Sequence, residues 1–302
     1  MEQLIQLLPF STSVLVYLAI DVAIAIALLF AIRALSGVMV KASVRDELGK
    51  RDNFAFGISL AGRMLALTIV LSAVVGRHVG LGYEVAAIGM LLFGGLGIVL
   101  VKIGRLAHDK VVLNQVNKNE MIEQKNVSVA LVDAASAISS AIITKAIIEW
   151  AQGADINAFV AIFTSVIVVI AVLLFATRVY EYRYAESNQD TSFQKTLCTG
   201  QIALALQHSG NLIGISIAVS AANKLLIYEP QSYVSNVTGW LILGLVLAGA
   251  LMLMTSICKR LVLAGVNWKS EVSLQHNIGI ASIEAVLAIG IALLFSNIFV
   301  SA

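Results

Sequence analysis

The chain has 302 residues, 59% of them hydrophobic and 13% charged, with a mean hydropathy of +0.91 and a net charge of +2. A soluble domain carries about a quarter charged residues, so this chain lacks the means to build a solvated surface, and the soluble classes are excluded. A net charge this small gives no footprint for nucleic acid; the basic residues are available instead for membrane orientation and for anionic headgroups.

Eight apolar runs stand near 12–33, 53–75, 84–103, 126–149, 156–178, 200–222, 236–257 and 277–299. Each meets the roughly 20 helical residues that a bilayer core requires. None alternates with period two, so the reading is an all-α integral membrane protein with eight transmembrane helices rather than a barrel. Ahead of the first run, Leu4, Ile5, Leu7 and Leu8 before Pro9 suit a short interfacial turn. That segment has no basic residue and Arg33 follows the apolar run, so the first helix is expected to be retained as a span rather than removed as a leader.

Run one carries Asp21 and run two carries Arg63, about 15 Å along the helix from Asn53. Ionisable residues at membrane depth are costly, so each needs a partner. For Arg63 the candidates are Asp21 and Asp133. Run three carries Gly89, Gly94, Gly95 and Gly97, and run four is lined with Ala134, Ala135, Ala137 and Ala141. Run six holds Gly210 and Gly214, and run seven holds Gly239, Gly244 and Gly249. Small residues let helices approach closely, which points to tight bundle packing and to a homodimer.

Run four also opens on Asn126 and places Asp133 seven residues later; run eight repeats the spacing with Asn277 and Glu284. Seven residues bring the pair to one helix face, about 10 Å apart. Ser136 and Ser140 continue the first stripe, whereas Leu287 and Ile291 replace them in the second. Run six carries His208 and Asn211, the expected partners of Glu284. With no Lys or Arg placed at depth in that half, Glu284 is expected to be neutral or to share a proton with His208. Lys145 and Glu149 are spaced to pair along one helix and snorkel to the interface.

The chain is an internal duplication. Arg33 matches Arg178 at an offset of 145, Gly62 matches Gly210 at 148, and Asn126 matches Asn277 at 151. The units are 1–152 and 153–302, each with four helices. An even number returns the chain to its starting side, so the repeats are parallel. Sixteen of the 20 Lys and Arg fall in the links after runs one, three, five and seven, so these face the cytoplasm and both termini lie outside (N-out/C-out).

The start of run two, Asn53-Phe-Ala-Phe-Gly, and the opening of run four, Asn126-Val-Ser-Val-Ala-Leu-Val-Asp-Ala-Ala, resemble the YjfL-like bacterial inner-membrane proteins, domain-of-unknown-function family 350. The second half departs from the pattern with Gln201 in place of Asn53. The resemblance implies two tandem units, a bacterial inner-membrane location, no established activity and an envelope-stress setting with cytoplasmic membrane-stress proteins as partners.

Several chemistries find no support. The two cysteines, Cys198 and Cys258, make neither a disulfide framework nor a metal site. No HExxH, nucleophile elbow or Gly-Lys-Ser/Thr loop is present, so no catalytic residue, metal or cofactor is expected and the chain does not read as an enzyme. The candidate site is the intramembrane polar set Asp21, Arg63, Asn126, Asp133, His208, Asn211, Asn277 and Glu284. The plainer reading makes it a set of clamps within an accessory or scaffold protein. The alternative is an ion- or proton-coupled channel or transporter, with a polar route between the two repeats.

Overall fold

A computed structural model describes residues 11–40, 43–188 and 192–298. The interfacial turn expected at Leu4–Leu8 lies outside the described residues. The helices are α1 (Thr12–Val40), α2 (Val44–Gly49), α3 (Phe54–Ser72), α4 (Tyr83–Val111), α5 (Lys118–Glu123) and α6 (Val127–Trp150), then α7 (Ile156–Ser187), α8 (Phe193–Cys198), α9 (Ile202–Ser220), α10 (Tyr233–Val262), α11 (Trp268–Ser273) and α12 (Ile278–Ile298). Eight of them are long and apolar enough to cross a membrane, which makes the protein a multi-pass membrane protein.

The architecture is finer than two four-helix repeats. One unit occurs four times: a long helix, a six-residue helix at the Lys/Arg-rich end, and a shorter return helix. The long helices α1, α4, α7 and α10 have 29, 29, 32 and 30 residues. At 1.5 Å per residue each exceeds a hydrocarbon core of about 30 Å. They therefore continue beyond the apolar runs, and Arg105, Lys110, Arg178 and Lys259 lie on helix rather than in links.

The turn into each return helix is built one way. Asp52, Lys125, Gly200 and His276 take φ of 47°, 65°, 85° and 56°, and each directly precedes the residue capping α3, α6, α9 or α12. A left-handed residue stops the short helix and reverses the chain. The backbone N–H of Asn53, Asn126 and Asn277 then closes on the carbonyls of Glu47, Met121 and Glu271, each at 2.9 Å. The side-chain oxygens of these asparagines accept from Phe56, Val129 and Ile280 N–H at 3.0, 3.0 and 3.1 Å. The side-chain amides of three of the four capping residues make a further contact. Asn53 donates to Ile122 O at 3.0 Å, Asn126 to Cys198 O at 2.9 Å, and Gln201 to Ser273 O at 3.1 Å. Each of these three caps is thereby tied to the short helix of the next unit. Asn126→Ala removes both bonds and is expected to cost about 1–2 kcal/mol, read as a lower unfolding midpoint in detergent.

The units pack in two layers. The return helices form a row, α3–α6–α9–α12, and the long helices form a second row, α1–α4–α7–α10, against it. The four return helices run parallel, so the two halves are parallel repeats. Glycine sets the closest approaches in the first row: a Cβ on Gly62 would lie 2.4 Å from Ala134 Cβ, and one on Gly210 would lie 2.3 Å from Ala285 Cβ. At the opposite end Arg77 donates to the carbonyls of Ile148, Ala151 and Gly153 at 2.8, 2.9 and 2.8 Å, fastening the α3–α4 turn to the end of α6.

Candidate functional site

The polar set does not assemble as the sequence suggests. Asn126 and Asn277 are caps and turn toward the short helices rather than toward the acids. Asp21 accepts from Gly76 N–H at 3.3 Å near the end opposite the charged one, so it shares no depth with Arg63. Arg63 pairs with neither acid directly. It donates to Ser59 Oγ at 2.7 Å, Ser59 O at 3.3 Å and Ser36 Oγ at 3.0 Å.

Asp133 is clamped by cations that hydropathy assigns to a link. Arg105 Nη2 lies 2.6 Å and Lys118 Nζ 2.8 Å from Oδ1, while Ser59 donates to Oδ2. Lys118 also pairs with Asp109. Two features bring these groups together. The extra turns of α4 carry Arg105 and Asp109 past the apolar run, and α5 folds back so that Lys118 meets the first third of α6. Asp133 is 1% exposed, and its carboxylate is saturated by protein groups. This is a closed clamp.

The second repeat aligns helix for helix and differs in chemistry. Gly62 and Gly210 place Ser59 opposite Gln207 and Arg63 opposite Asn211. Tyr83 and Tyr233, with Asn117 and Asn267, align α4 on α10 at an offset of 150. Arg105 then matches Thr255, Asp109 matches Lys259 and Lys118 matches Trp268. The cation is moved one helical turn and two others are lost. Glu284 consequently has one cation, Lys259 Nζ at 3.2 Å from Oε2, and receives the amide of Gln207. This corrects the expected pairing with His208 or Asn211 and the expectation of a carboxyl with no basic partner at depth. Lys259 lies on α10 beyond the apolar stretch and reaches back.

Where the first repeat is filled by Arg63, Arg105 and Lys118, the second has a cavity of about 480 Å³. Its walls include Gln207, His208, Asn211, Thr255, Ser256, Lys259 and Glu284, with Arg183, Arg260 and Lys269 also on its lining. Every lining residue belongs to the second repeat, so this space is not the expected passage between repeats. Five lining residues hold buried polar atoms without a partner: Glu181 Oε1, His208 Nε2, Asn211 Oδ1, Thr255 Oγ1 and Glu284 Oε1. Unsatisfied groups at this burial are costly, and five on one cavity lining mark a site open to a hydrogen-bonding occupant. Asp133 lines neither this cavity nor a second one at the far end. The other cavity, of about 360 Å³, lies at the far end between α3, α6 and α9 and includes Lys145, Glu149 and Lys224. There Lys145 Nζ meets Glu149 Oε1 at 2.6 Å, as the spacing predicts.

The halves also meet through histidine. The His108 and His208 rings lie 6.0 Å apart, and His108 has no partner on either nitrogen. Among the described residues no group of His, Cys, Asp and Glu is placed to hold a metal ion. Burial pushes the Cys198 thiol up from its ordinary value, which disfavours the thiolate. Sequence reasoning missed Arg105, Lys118, Gln207, Thr255 and Lys259. Their signal was present in the duplication, since aligning α4 on α10 exposes the exchange of Arg105, Asp109 and Lys118 for Thr255, Lys259 and Trp268.

The chain was compared with known proteins. A family model described as Domain of Unknown Function (DUF350) matches residues 6–148 and, a second time, residues 153–299. No curated protein and no solved structure matches the chain.

Proposed function

Taking as premise that this chain belongs to the DUF350 family and carries two tandem copies of its unit, we propose an accessory, non-enzymatic component of the bacterial inner membrane, working in an envelope-stress setting. Its first repeat is a structural clamp, and its second repeat binds a polar solute bearing an ammonium or guanidinium group. One observation carries this reading: the space that protein cations fill around Asp133 is open around Glu284. The first repeat thus supplies a template for the ligand, a guanidinium or ammonium donating to the carboxylate. Arg183, Arg260 and Lys269 on the cavity lining suit a solute that also carries an anionic end, because the inner carboxylate is already offset by Lys259.

The test compares L-arginine with L-citrulline, its uncharged near-isostere, on the purified protein in detergent. L-arginine is expected to raise the melting temperature in a concentration-dependent way, following ligand-linked stabilisation, and L-citrulline to leave it unchanged. Glu284→Gln should abolish the response while Asp133→Asn should not. Equal shifts from the two solutes, or a shift that survives in Glu284→Gln, would sink the assignment.

The proposed orientation puts the Lys/Arg-rich end in the cytoplasm. Ser256→Cys, with Cys198 and Cys258 replaced by Ser, should react with a membrane-impermeant thiol reagent in inverted vesicles and not in intact spheroplasts. The reverse pattern would invert the topology.

A second reading, translocation, is favoured by the His108–His208 contact across the two repeats. Proteoliposomes loaded with a pH-sensitive dye separate the two. The accessory reading expects proton leakage no faster than in empty liposomes, whereas a flux abolished by Glu284→Gln would establish translocation.

A further inference from the structure

The row of return helices has two unlike ends, and each end repeats a surface that is buried inside the chain. On α6, which packs on α9, the side turned from Ala134 carries Val132, Ala135, Ser139 and Ile143, all buried. The residues 151 positions later on α12 are Ile283, Val286, Gly290 and Leu294, of which three are exposed and Gly290 half-buried. On α9, which packs on α6, Ser209 and Ser216 are buried. Their counterparts on α3, 148 positions earlier, are Ala61 and Thr68, both exposed. The chain therefore presents the α6 half of its central seam at one end and the α9 half at the other.

Three further observations fit an unfinished row. Half of the α7 span is buried, against 11% of the α1 span, although α1 is the same helix of the first repeat. The α6 span is 78% buried and its counterpart α12 is 33% buried. The chain of cap amides also breaks at the last unit. Among the described residues no short helix follows Asn277, and its amide donates to Glu271 Oε2 at 2.8 Å. Among the described residues no cap amide reaches the C-terminal carbonyls of α2. The α3 stripe is small and hydroxyl-bearing, unlike the Val22, Ile26 and Phe30 that α1 exposes. Small residues are the surface on which helices pair in a bilayer.

We infer that a second copy of this chain docks head to tail, its α12 packing on α3 as α6 packs on α9 within the chain. The contact is heterologous: the two partners offer different faces, and the row of parallel return helices continues from copy to copy.

Cysteine crosslinking in native membranes tests this on the full chain with Cys198 and Cys258 replaced by Ser. The pair Gly290→Cys and Thr68→Cys matches Ser139 and Ser216 of the internal seam. Covalent oligomers are expected when both cysteines are present, on one chain or on two co-expressed chains, and not from either cysteine alone. Ser139→Cys with Ser216→Cys should crosslink without a change in mass, which proves the reagent. Dimers from Gly290→Cys alone would mean that α12 pairs with itself, and monomers throughout would mean that lipid covers both ends; either overturns the inference. The unsubstituted protein in native nanodiscs should have a protein mass that is a multiple of 32.1 kDa, and the mass of one copy would equally overturn it.

Discussion

Asp133→Asn is expected to be the most damaging conservative substitution in this protein, lowering stability by on the order of 3–5 kcal/mol, because it removes the buried charge that Arg105 and Lys118 share. Arg105 Nη2 and Lys118 Nζ lie 2.6 and 2.8 Å from the carboxylate, and their side chains are only 10% and 13% exposed. Arg63 adds a third cation through Ser59. Lys118 keeps Asp109, but Arg105 is left facing an amide that cannot carry the charge. Unfolding in a denaturant series in detergent reads this directly. Pairing the substitution with Arg105→Gln should recover part of the loss, since deleting both members of a buried pair costs less than deleting one. A double variant no more stable than Asp133→Asn would show that the clamp is not electrostatic. Glu284→Gln should be milder, because Glu284 has one cation and an open cavity through which water can solvate Lys259.

Gly62→Ala and Gly210→Ala form the second large effect. A Cβ at Gly62 would stand 2.5 Å from Ala134 Cα, and one at Gly210 would stand 2.4 Å from Ala285 Cα. The obstacle is backbone, so no rotamer change relieves it and the two helices must separate along their contact. Overpacking of this kind costs roughly 1–3 kcal/mol or more. Gly95→Ala and Gly249→Ala are the controls. Nothing lies within 4 Å of a Cβ at either position, and alanine is the better helix former by about 1 kcal/mol, so these two should be neutral or stabilising. If all four variants unfold at one denaturant concentration, the close helix approach contributes nothing.

The accessory reading and the two acids belong to one account of divergence after duplication. In the first repeat the buried charges are matched within the protein. In the second, Asn211, Thr255 and Trp268 stand where the first has Arg63, Arg105 and Lys118, and the space is open. Stability limits where such an exchange is tolerated. Glu284 remains paired with Lys259, so opening the cavity did not leave a bare charge at membrane depth.

Composition and hydropathy alone determined the class, the eight spans and the duplication, because burial in lipid selects apolar residues helix by helix and leaves its mark on each run separately. The Lys145–Glu149 pair was legible for a related reason, since both partners lie on one helix and helical spacing decides whether they meet. The tertiary structure alone decided what each acid faces. Arg105 and Lys259 read as link residues because hydropathy ends where the lipid ends, yet nothing at the headgroup boundary obliges a helix to stop there. Asn126 and Asn277 share a helix face with their acids in sequence, yet each is spent on a cap and a turn that only the left-handed residue before it explains. Whether a buried carboxylate is sealed or open depends on side chains arriving from three other elements, and a one-dimensional pattern of polarity carries no record of how those elements pack.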